Sequence, residues 1–115
     1  MADHPTAVWT GASGTKYTYY VWPRHPIINA GQDGNYIYAK LVGDRYQAIY
    51  IGQGDLSVRV TDDHHRTECI DSKGATSIHI HLNAVESDRL AEERDLLASN
   101  LNAYSPSGCN IKRGG

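Results

Sequence analysis

The stretch GNYIYAKLVGDRYQAIYIGQG, Gly34 to Gly54, decides the fold. Two runs rich in aromatic and β-branched residues, NYIYAKLV and RYQAIYI, flank Gly43-Asp44, the composition of two strands joined by a short turn. An antiparallel hairpin is therefore predicted. It carries four tyrosines, Tyr36, Tyr38, Tyr46 and Tyr50, and each is either core filling or part of a site.

Upstream, KYTYYVW predicts a strand with Tyr17, Tyr19 and Val21 on one side, and the prolines of PRHP stop both helix and ladder. Residues 1–14 show no periodicity and predict a loose arm pinned by Trp9. Downstream, DLSVRVTDDHH predicts a helix capped by Asp55, with Leu56 and Val60 on its apolar side and Arg59 beside them. TSIHIHL alternates strictly, so a further strand is expected with Ile78, Ile80 and Leu82 on one face and Ser77, His79 and His81 on the other. A last helix is predicted from about Asn83 to about Leu101, with Glu86 in the capping-box position. The expected fold class is α/β of the α+β type, a small antiparallel sheet with helices packed against it.

Composition narrows the function classes. A chain of 115 residues fits one domain. With 8 Tyr and no Phe, aromatic packing here brings hydroxyls that want hydrogen-bond partners. The net charge of -2 argues against a partner held by bulk electrostatics, while saying nothing about a local cluster. Cys69 and Cys109 lack metal-ligand spacing and predict two free thiols in a reducing compartment. No apolar run approaches the ~20 residues that cross a bilayer, and MADHPTAVW lacks the regions of a signal peptide, so a soluble, cytoplasmic protein is expected.

On the last helix, Leu90, Leu97 and Leu101 fall in one stripe, widened by Leu96. Glu93 points into that stripe and Glu92 away from it. A carboxylate on a buried face needs a cation, a metal or good donors, so Glu93 calls for a partner.

Gly34-Asn35-Tyr36, Tyr50-Ile51-Gly52, DLSVR, EERDLL and GCNIKRGG follow one another in an order that resembles the GIY-YIG nuclease domain family. The resemblance covers Gly34 to the end. It implies a catalytic domain over 34–115 behind an arm and accessory strand over 1–33, and a three-stranded antiparallel sheet flanked by helices with that extra N-terminal strand. It implies metal-dependent hydrolysis of DNA phosphodiester bonds, with double-stranded DNA as partner, one divalent ion, Mg2+ or Mn2+, and no membrane. Carried over by position, Glu93 is the metal ligand and Tyr36 and Tyr50 lie at the attacking water. Arg59 contacts phosphate, Asn110 supports the site, and the family histidine falls at His64 or His65. Gly52, Gln53 and His65 would meet the substrate. Asn35 stands where the family has an aliphatic residue and, by alternation, faces away from Tyr36. With no separate recognition domain, specificity is expected from the N-terminal extension, a homodimer or a partner protein. Two rival readings are a non-catalytic nucleic-acid or protein binding module of the same fold, and a zinc protein using His79 and His81 with His64 and His65.

Overall fold

A computed structural model describes residues 4–26, 28, 30–60 and 66–111. Its strands are β1 (Thr6–Thr10), β2 (Lys16–Pro23), β3 (Asp33–Val42), β4 (Arg45–Asp55) and β5 (Ser77–Leu82). Its helices are α1 (Leu56–Arg59), α2 (Thr67–Ser72) and α3 (Glu86–Ser99), with a 3-10 turn over Leu101–Ala103. The strands form one curled antiparallel sheet in the order β1-β2-β5-β3-β4.

This corrects the expected three-stranded sheet: the fold is a mixed α+β architecture on five strands. The N-terminal residues form β1, pairing Trp9 with Tyr17, and β2 continues the sheet by pairing with β5. What holds β1 in place is Trp9, buried, with its indole N–H donating to His79 Nδ1 at 2.9 Å. A strand of five residues is too short for its alternation to stand out in the sequence.

The hairpin forms as expected. β3 and β4 are joined by Gly43-Asp44 alone, and Gly43 has φ 66°, the left-handed first position of a two-residue turn that glycine adopts without steric cost. Asp55 caps α1 through its side chain, which accepts from the backbone N–H of Ser57. Helix α1 ends at Arg59, and the remainder of the helix expected there falls on residues 61–65, outside the described residues. Helix α3 begins at Glu86 rather than near Asn83, whose side chain instead accepts from the N–H of Val85.

Both faces of the sheet are covered. On one, Tyr36, Tyr38, Ile78 and Ile80 pack with Leu56, Val60, Ile70 and Cys109. On the other, Trp9, Tyr19, Ile37, Ala39 and Ile51 pack with Leu96 of α3 and Ala103. The polar face expected for β5 is therefore interior: His79 is fully buried, with Nδ1 bonded to Trp9 and Nε2 to the Ser77 hydroxyl at 3.0 Å.

Burial holds the His79 pKa down from 6.5 to about 4. Because the folded value is lower, the unfolded chain takes up the extra proton first. The stabilisation is complete above about pH 6.5 and fades as the pH falls towards 4, by about 3 kcal/mol in all. Urea midpoints measured from pH 7 to pH 4 should fall more steeply for the wild type than for His79→Gln, which does not titrate. Parallel curves would show that His79 is not the group responsible.

The cysteines are paired. Cys69 of α2 and Cys109 form a disulfide across 40 residues of sequence, which corrects the expectation of free thiols and removes its argument for a reducing compartment. Sequence spacing carried no sign of the pairing, because α2 and the C-terminal segment meet only by packing on the Tyr36 and Tyr38 face. Among the described residues no helix is long and apolar enough to cross a membrane.

Candidate active site

In the hairpin, Ala39 faces Ala48 but Tyr38 faces Tyr50, so Ile49 is an extra residue on β4. Directly paired residues of an antiparallel ladder share a face, and an extra residue reverses the sidedness of everything beyond it. The bulge thereby brings Tyr50 and Gly52 to the face occupied by Tyr36. The rings of Tyr36 and Tyr50 stack with centroids 6.1 Å apart and planes 26° apart. Tyr36 lies opposite Gly52, and a Cβ there would come 2.5 Å from its phenol oxygen. Gly52 is thus required by the Tyr36 ring itself.

These two phenols open into a cleft of about 700 Å³. Its walls bring Arg59 from the end of α1 and Arg66 from the start of α2 against Leu90, Glu93, Arg94 and Leu97 from α3. Gln53, Asn110, Tyr104 and Ile111 complete it. All the described residues expected at the site, Tyr36, Tyr50, Gly52, Gln53, Arg59, Glu93 and Asn110, line this one cleft. His64 and His65 lie outside the described residues.

The geometry of α3 corrects the reasoning that singled out Glu93. The buried face of the helix is Arg89, Glu92 and Leu96, while Leu90 and Leu101 are exposed. Of the expected stripe, Leu90, Glu93 and Leu97 line the cleft while Leu96 packs inside, and the carboxylate in the interior is Glu92. Glu92 accepts from the Tyr19 hydroxyl at 2.5 Å and pairs with His81 Nδ1 at 2.9 Å. Its needs are met inside the fold, whereas Glu93 is half-buried at the cleft.

Several neighbours hold the site rather than face a substrate. Asn110 is buried and uses both ends of its carboxamide on Ile51, accepting from the backbone N–H at 2.9 Å and donating to the carbonyl at 3.0 Å. With the Cys109 N–H donating to the Ile49 carbonyl, it covers the outer edge of β4. Gln53 accepts from Arg89 Nε at 3.1 Å. Asn35 does face away from Tyr36, and its amide donates to the Arg89 carbonyl. Tyr38 is buried in the core, and Tyr46 meets the His79 ring edge-on at 4.5 Å.

Burial pushes the pKa of Tyr36 far above the ordinary phenol value, with Tyr50 and Tyr38 adding to the shift and Arg59 opposing it. Burial and then the charge of Glu93 also raise that of Tyr50, against a hydrogen bond from Tyr36 and the charges of Arg59 and Arg66. Neither is a phenolate at neutral pH. Arg59 acts to lower both values and Arg66 that of Tyr50, but burial outweighs them.

The ligand atoms the lining offers are oxygens, one carboxylate and the phenols, with no imidazole or thiol among the described lining residues. That set fits a hard divalent ion, which keeps most of its waters and can be held by one carboxylate. It does not suit zinc, and His79, with both ring nitrogens bonded inside the fold, is in no position to ligate it. The sequence reading did not pick out Arg66 or Arg94. Arg94 directly follows Glu93, a signal that could have been used, whereas Arg66 had none, since α2 was not anticipated. The chain matches no protein-family model, no curated protein and no solved structure.

Proposed function

We propose that this protein is a metal-dependent endonuclease that hydrolyses the phosphodiester bonds of DNA, in the manner of the GIY-YIG nucleases its motifs resemble. The observation that carries the reading is the convergence of Tyr36, Tyr50, Arg59 and Glu93, from three separate parts of the chain, on one cleft. Such a set serves phosphoryl transfer, where catalysis consists largely of positioning and charge stabilisation.

Glu93 would hold one Mg2+ or Mn2+, which when bound supplies neutralisation of the phosphate charge. Arg59 is exposed at the rim of the cleft, so its guanidinium can reach a phosphate oxygen and favour the added charge of the pentacoordinate state. Tyr50 is the phenol better suited to serve as base towards water, which it could do only after giving up its own proton, a loss that a divalent ion held by Glu93 would favour. It is less buried than Tyr36, and Tyr36, Arg59 and Arg66 all favour its ionised form. Tyr36 then acts through Tyr50, by its hydrogen bond.

Supercoiled plasmid incubated with the protein and Mg2+ or Mn2+ should be nicked or linearised. Arg59→Ala should lower that rate by roughly 100-fold, as loss of one charge-stabilising donor does, with thermal unfolding close to wild type because the side chain is exposed. Intact plasmid with wild-type protein across both metals and several DNA forms would remove the proposal. A collapse of Arg59→Ala on heating would make Arg59 a structural residue instead.

A further inference from the structure

Three guanidiniums line the cleft against one carboxylate, although the chain as a whole carries a net charge of -2. They come from different elements: Arg59 from α1, Arg66 from the residue that opens α2, and Arg94 from α3. The charge is therefore gathered by the fold from places far apart in the sequence. One scissile phosphate gives work to one such cation, and Arg59 is placed for it. The other two enter from different elements, Arg66 from just before α2 and Arg94 from α3, into a space larger than one phosphate group.

We infer that Arg66 and Arg94 bind the DNA phosphates on either side of the scissile one, so that the cleft grips a run of backbone and not a single group. The inference rests on the nuclease reading for the position of the scissile phosphate. Charge complementarity supports it, since local positive charge on an otherwise acidic chain is what a polyanionic backbone selects. Guanidinium also pairs with phosphate oxygens through two parallel hydrogen bonds. As phosphate contacts, the two arginines fix register and affinity and carry no sequence information.

The test is binding of a fluorescent duplex by anisotropy, in EDTA so that nothing is cut, across a range of salt concentrations. Arg66→Gln and Arg94→Gln are compared with wild type and with Arg45→Gln, which removes the same charge at the exposed hairpin end, away from the cleft. Each cleft variant should weaken binding about tenfold at moderate salt and lower the slope of log K against log salt by roughly 0.9, the loss of one phosphate contact. Arg45→Gln should leave the slope unchanged. Wild-type slopes in both cleft variants, or an equal loss in Arg45→Gln, would overturn the inference, as would absence of duplex binding by the wild type. Because Arg66 also sits within the fold, Arg94→Gln decides the matter if Arg66→Gln does not fold. Cleavage is scored separately. A wild type that cuts plasmid while the arginine variants bind normally defeats this inference alone. Arginine-dependent binding without cutting in Mg2+ or Mn2+ defeats the nuclease reading and leaves the phosphate contacts standing.

Discussion

Glu93→Ala should lower metal-dependent plasmid cleavage by roughly 100-fold or more and leave the unfolding midpoint near that of the wild type, while its neighbour Glu92→Ala does the reverse to stability. The two carboxylates are consecutive and stand on different faces of α3. Glu93 lines the cleft and is half-buried, so its loss removes a charge from the proposed reaction site and little packing. Glu92 is buried and is the acceptor for both Tyr19 and His81. Its removal strands a buried hydroxyl and an imidazole, at a cost of about 3 kcal/mol. Nicking assays and urea melts on both variants check this together. Unimpaired cleavage by Glu93→Ala would end the proposed role of that residue, and a wild-type melt for Glu92→Ala would end the account of the buried carboxylate.

Loss of the Cys69–Cys109 disulfide should have the largest effect on stability. Closing a loop of this length removes chain entropy from the unfolded state amounting to about 4 kcal/mol. Its position makes the effect local as well. Cys69 is in α2, which directly follows Arg66, and Cys109 precedes Asn110, so the bond ties together two parts of the cleft's lining. The double variant Cys69→Ser, Cys109→Ser, and the wild type in dithiothreitol, should both show a urea midpoint well below that of the oxidised protein. Faster backbone hydrogen exchange at Ile51, which Asn110 holds, should accompany it. An unchanged midpoint after complete reduction would contradict this.

What could be read from the sequence was what depends on neighbouring residues. The β3–β4 hairpin, its turn at Gly43-Asp44, the Asp55 cap and the alternation of β5 are all set within a few residues, and they appear where expected. The misses share a different cause. β1 depends on Trp9 finding His79, and the disulfide on α2 meeting the C-terminal segment, both contacts distant in sequence. The periodicity of α3 separated Glu92 from the face of Leu90, Glu93 and Leu97. It assigned Leu96 to the wrong face, extended the helix to Leu101, and took the wrong face as interior. A stripe of leucines can line a cleft, and a face with Arg89 and Glu92 can be buried once Asn83, Gln53, Tyr19 and His81 supply partners. Glu93 was therefore chosen for a reason the fold does not support, and it nevertheless stands beside Tyr36 and Tyr50.

The bulge at Ile49 makes the spacing of the two half-motifs a matter of parity. Counted outward from the Gly43-Asp44 turn, a regular ladder would set Tyr36 opposite Ile51 and leave Tyr50 on the far side of the sheet. One extra residue reverses this, and a second would reverse it again. In chains built on this hairpin, an odd difference in length between the two arms puts both tyrosines on one face, and an even difference separates them, whatever the tyrosines themselves retain.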